Sequence, residues 1–200
     1  AQGEMVQECG AGLLPIRARG EGSDRVLLVR SPAASIVNEG MGLDARLDAI
    51  LAGQTLGALP PAFISGGRRW WLAELGSEAA VRTWQPDHAA IRALALATDS
   101  LGLCVFARSA DPHFELVVRA FPAGVGIVED PASGAANGLI AAYIVQREPE
   151  GALARGYRVS QGREMGHDAS IDVTIEPDGA VWVGGRTHLV IDGALFWPTS

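Results

Sequence analysis

An α+β fold is predicted by three features of the sequence. Short β-prone runs alternate with turn residues, one helical stretch is small or apolar on every face, and the chain closes on a series of alternating runs. With 200 residues, 48% of them hydrophobic and 20% charged, the chain can bury a core without a metal or a crosslink. That composition excludes a disordered chain, a collagen-like repeat and a small disulfide scaffold.

The elements follow in order. Met5 to Glu8 is strand-like and leads into the Gly-rich Cys9–Gly12. Leu13–Ala18 and Arg25–Arg30 form a hairpin about the turn residues 20–24. Leu43, Leu47, Ile50 and Leu51 have helical spacing, and Gly53 lies just beyond that helix. The Pro60-Pro61 pair marks a boundary between residues 1–60, the remainder of an N-terminal lobe, and residues 61–200. After it, Ala62–Ile64 and Arg69–Leu75 read as strands, and Asp87–Ala97 as a helix introduced by Pro86. Leu101–Ala107 and Phe114–Phe121 form a strand pair apolar enough to be central. Runs at Arg158–Gln161, Ser170–Ile175, Val181–Val183 and His188–Ile191 form an antiparallel meander, divided at Pro177-Asp178-Gly179 and at Gly184-Gly185.

Charge and residue usage narrow the chemistry. Twenty-three acidic against sixteen basic residues leave a net charge of -7, which disfavours nucleic acid and anionic membrane as partners. All sixteen basic residues are arginine, so a lysine Schiff base and a phosphate-loop lysine are both excluded. The four histidines lack zinc-site spacing, and Gly184-Gly185 lacks a dinucleotide-binding pattern, so neither a metal nor a cofactor is expected. Cys104 sits in an apolar run as a buried thiol. Two unlinked cysteines and no apolar run near ~18 residues point to the cytoplasm. The Gly66-Gly67-Arg68-Arg69-Trp70-Trp71 run reads as a strand with one buried face, ahead of the alternative of base stacking.

The chemistry concentrates in residues 129–145. Ser133 is placed to cap a helix that is apolar all round, and Gly134, Ala135 and Ala136 put no bulk over its first-turn N–H groups. Such a terminus accepts an anion directly. Asp130 lies where the same field favours its ionised form. It could orient a polar group of a ligand, or it could simply open an Asx turn ahead of the helix. Arg119, on the strand leading to this loop, could bind a carboxylate bidentately or end in an ion pair.

Several stretches together resemble the phenazine-biosynthesis (PhzF-like) isomerase family, whose fold is that of diaminopimelate epimerase. They are Arg119 to Gly124, Gly126 to Ala136, Gln161-Gly162-Arg163-Glu164-Met165-Gly166 and Val183 to Arg186, with Gln7 to Gly12 near the start. The resemblance implies two pseudo-symmetric lobes, each a β-barrel-like sheet around a central helix, with the first lobe incomplete and the active site between them. It implies Asp130 as the catalytic residue, with Arg119, Ser133, Gly134, Ala135 and Gln161 as the substrate-binding set. Ala135 stands where the family often has serine, which removes a hydroxyl and keeps the backbone donors. The activity implied is proton transfer on a small carboxylate-bearing metabolite, without cofactor, in a homodimer. The family's proton-transferring glutamate and Gly-His loop have no counterpart in this sequence, so a non-catalytic anion-binding or assembly protein stands as the alternative.

Overall fold

Residues 5–188, 190–194 and 196 are described by a computed structural model. The strands are β1 (Met5–Cys9), β2 (Gly12–Arg19), β3 (Val26–Arg30), β4 (Ser35–Glu39), β5 (Ala62–Gly66), β6 (Arg68–Glu74), β7 (Leu103–Arg108), β8 (Leu116–Phe121), β9 (Gly156–Gln161), β10 (Ala169–Ile175) and β11 (Val181–Arg186). The helices are α1 (Ala45–Ile50), α2 (Glu78–Thr83), α3 (His88–Ala97) and α4 (Gly134–Arg147). The strands make one sheet in the order β1-β2-β3-β11-β10-β9-β8-β7-β6-β5-β4. Strands from residues 1–60 therefore form both outer parts of a sheet whose middle comes from residues 61–200.

Two parallel pairings organise this sheet, because each requires a helical crossover. β6 returns through α2 and α3 to pair with β7, and β8 returns through α4 to pair with β9. The crossovers pack on opposite faces. Trp70, Leu72, Cys104 and Val118 join the core around α4, while Trp71, Ala73, Val105 and Val117 join the core beneath α1 to α3. Period-two alternation along the central strands thus buries both faces, and the tryptophan pair is buried on two sides rather than one.

α4 touches β10 and β11 on one side and β4, β5 and β6 on the other, so the sheet curls around it. Residues Ala136 to Ile144 are all buried, as expected for a helix without a polar face. The fit is close: a Cβ on Gly138 would lie 2.3 Å from Ser31 Oγ, and one on Gly66 would lie 2.6 Å from Leu139 Cδ2.

The hairpin, the first helix, the Asp87–Ala97 helix, the central antiparallel pair and the β9-β10-β11 meander all form. Three expectations change. Gly184 and Gly185 lie inside β11 instead of forming a turn, because β3 approaches so closely that a Cβ on Gly184 would lie 1.8 Å from the Leu27 carbonyl oxygen. His188, Val190 and Ile191 form no strand, and Leu189 lies outside the described residues. β4 and α2 form where the sequence suggested nothing.

Candidate active site

The loop that carries Asp130 is built by β8, β9 and α4 together. β8 ends at Phe121, a 3-10 turn over Ala123–Val125 reverses the chain, and the Asp130 N–H donates back to the Ala120 carbonyl at 2.9 Å. Asp130 Oδ1 accepts from Ala132 N–H at 3.1 Å, so the Asx turn forms. The Asp130 side chain is half-buried, and its Oδ2 accepts no hydrogen bond among the described residues. Ser133 caps α4, its Oγ accepting from Ala136 N–H at 3.4 Å.

Gln161, at the end of β9, ties these pieces together from a fully buried position. Its Nε2 donates to the Asp130 carbonyl at 2.7 Å, and its Oε1 accepts from Asn137 Nδ2 at 2.9 Å and from Ser133 N–H at 3.3 Å. Gly162 follows with φ +90, and a Cβ there would lie 2.6 Å from the Pro131 carbonyl oxygen. The exit of β9 therefore lies flat against the Asp130 loop, which only glycine permits.

The first turn of α4 stays open. Gly134 and Ala135 are exposed, nothing lies within 4 Å of where a Gly134 Cβ would stand, and neither N–H has a partner among the described residues. Both residues line a cavity of about 690 Å³, together with Gly138, Leu139, Ser31 and Arg68. Two unpaired donors at the positive end of a 14-residue helix can hold a carboxylate, which gains ~0.3–1 kcal/mol at an exposed terminus and up to ~2 kcal/mol when partly buried.

Of the expected site residues, the structure brings only Gly134 and Ala135 to this cavity wall. Asp130, Ser133 and Gln161 lie immediately behind it and shape the helix terminus. Arg119 is elsewhere. Its side chain sits on the face of β8 away from α4, forms a bidentate ion pair with Glu129 at 2.9 and 2.9 Å, and donates from Nη1 to the Val81 and Trp84 carbonyls. At 5% exposure, with Glu129 at 9%, this guanidinium has no contact left for a substrate. Its alternation with Val118 and Ala120, both in the core around α4, is the sequence signal that places it there.

Burial pushes the Cys104 thiol well up, and the Asp130 carboxylate adds to the shift, so this sulfur stays protonated. Sequence reasoning passed over Arg68 and Ser31. Arg68 could have been found by its spacing of two from Trp70 and four from Leu72, which puts all three on one face of a strand. Ser31 carries no such signal, because only the approach of Gly138 makes it part of the wall. Among the described residues no group of three His, Cys, Asp or Glu is placed to hold a metal ion, and no helix is long and apolar enough to cross a membrane.

Comparison with known proteins agrees with this architecture. The phenazine biosynthesis protein of the PhzF family from Bacillus anthracis superposes with a TM-score of 0.68 at 18% identity, covering 92% of this chain and 65% of that one. A predicted epimerase from Pseudomonas aeruginosa gives 0.69 at 22% identity, covering 96% and 68%. Both show a shared α+β, diaminopimelate epimerase-like fold. "Antisense-enhancing sequence 1" of Schizosaccharomyces pombe is 26% identical over 210 residues, covering 96% of this chain and 67% of that protein. The chain thus spans about two thirds of the length of the proteins it matches. The sequence pattern of phenazine biosynthesis-like proteins (PhzC-PhzF) matches residues 1–193, and the chain belongs to that family.

Proposed function

We propose that this chain supplies one wall of an isomerase site, where a small carboxylate-bearing metabolite undergoes proton transfer without a cofactor. The observation that carries the reading is the open terminus of α4. Gly134 and Ala135 present two unpaired N–H donors to a cavity of about 690 Å³, while Ser133 and Gln161 hold the preceding loop rigid. The substrate carboxylate rests on those donors. Asp130, four residues ahead of Gly134 in the same loop, keeps one carboxylate oxygen available to orient or exchange a proton on an adjacent polar group. The cavity wall itself has no carboxylate and no imidazole among the described residues, which leaves Asp130 as the acid–base candidate on this side. Membership of the family and the fold shared with a predicted epimerase support the same class of chemistry.

Deuterium wash-in tests this. The chain is incubated in D₂O with a panel of small carboxylates bearing a hydroxyl or amine near an exchangeable C–H, and incorporation is followed by NMR. At least one compound should exchange, and Asp130→Asn should slow that exchange by roughly 10²-fold. Equal exchange by the variant removes Asp130 from the chemistry. Absence of exchange from every compound that binds would favour a carboxylate-binding role instead.

A further inference from the structure

The cavity at the α4 terminus also contains a cation whose role the proton-transfer reading does not use. Arg68 opens β6 directly after the one-residue turn at Gly67, whose φ of +69 only glycine adopts readily. It shares a face with Trp70 and Leu72, the side of β6 that packs around α4, and it lines the same cavity as Gly134, Ala135 and Gly138. Its neighbour Arg69 points to the other face and is paired with Asp99. Arg68 has no ion pair and no hydrogen bond among the described residues, although the chain carries seven more acidic than basic residues. Arg30 also borders the cavity, but its register opposite Trp182 turns its side chain away from the Val29–Val183 face toward α4.

An unpaired guanidinium and a set of unpaired helix-terminal N–H groups therefore face one carboxylate-free cavity, with Leu14, Val29 and Leu139 forming apolar wall between. Arginine's planar fork matches a carboxylate bidentately. We infer that the ligand is a small dicarboxylate, with one carboxylate on the Gly134 and Ala135 donors, the second on Arg68, and an apolar carbon skeleton against the wall. This assignment rests on the proposed carboxylate-binding role of the α4 terminus and adds the substrate class that the cavity selects.

Amide NMR titration of the full chain, at fixed ionic strength, tests it with succinate, glutarate and adipate, each against the monocarboxylate of equal length. At least one diacid should shift the Gly134 and Ala135 amide resonances at a concentration about tenfold or more below its monoacid, the gain expected of one added charge-assisted pair. Arg68→Gln should remove that advantage and leave monoacid binding intact. Arg69→Gln takes the same charge from the opposite face of the strand and should keep the advantage. Equal affinity for diacids and monoacids overturns the inference while sparing the carboxylate-binding reading. Equal loss in the Arg68 and Arg69 variants overturns it as well, since general charge would then be the cause. If no acid of either kind moves Gly134 or Ala135, the carboxylate-binding reading falls and takes the inference with it.

Discussion

The two faces of the central sheet use arginine in opposite ways. On the face covered by α1 to α3, Arg119 is buried and spent on Glu129 and two backbone carbonyls. On the α4 face, Arg68 stands at a strand end with its guanidinium free beside a cavity. Both lie on strands near the same loop, and one-residue alternation decides which face each enters. A buried, fully bonded cation fixes geometry, whereas an unpaired one at a cavity wall is available to a ligand.

The sharpest way to break this contrast is to unpair the buried cation. Glu129→Gln or Arg119→Met leaves a charge with no partner at 5–9% exposure, and removing one member of a buried pair costs about 3–5 kcal/mol. Chemical denaturation should show a loss of that order for either single variant. The double variant Arg119→Met/Glu129→Gln should recover much of it, because no uncompensated charge remains. If the single variants lose less than about 1 kcal/mol, the pair is solvated and Arg119 could reach a ligand after all.

A smaller effect is expected on the α4 side, where the buried groups are neutral. Gln161→Leu removes the acceptor of Ser133 N–H and Asn137 Nδ2 and the donor to the Asp130 carbonyl. Leaving such groups unpaired costs about 1–3 kcal/mol each, reduced where water or the mobile Asn137 amide finds a new partner. The diagnostic readout is local. Amide exchange at residues 130–136 should quicken more than exchange in β9 to β11, whereas a uniform change would make Gln161 a general core residue.

The lesson about sequence runs along the same divide. Runs with a strong period were readable: the early hairpin, the central pair and the helix that is apolar on every side all appear where their residues predicted them. Ser133 was also legible, because capping is local chemistry within four residues. What could not be read depended on contacts distant in sequence. β4 becomes a strand by pairing with β5, and Gly184-Gly185 stays extended because β3 lies against it. Gln161 resembled a ligand-binding residue until its three partners from the facing loop were in place. The motif located the site within a few residues, but which polar side chains face the cavity was fixed by register and by the curl of the sheet.

The gentlest test reads the α4 face through its tyrosines. Tyr143 and Tyr157 are the two in the chain, and both belong to the core around α4. Burial pushes the Tyr143 phenol up to about 12, helped by the Glu39 carboxylate, and its hydroxyl donates to the Pro60 carbonyl at 2.7 Å. Burial alone raises Tyr157 further in the same direction. An unfolded tyrosine ionises near ~10. Between about 10 and 12 the unfolded chain therefore holds fewer protons than the folded one, and stability falls as pH climbs through that window while remaining intact below it. Phenolate absorbance should accordingly stay absent until the protein unfolds and then rise together with the loss of helical circular dichroism. Tyr143→Phe should cost about 1 kcal/mol at neutral pH, the worth of one hydrogen bond, and should flatten the alkaline decline. Phenolate appearing near pH ~10 in a chain that is still folded would mean that water reaches the core around α4, and the contrast between its dry interior and open first turn would fail.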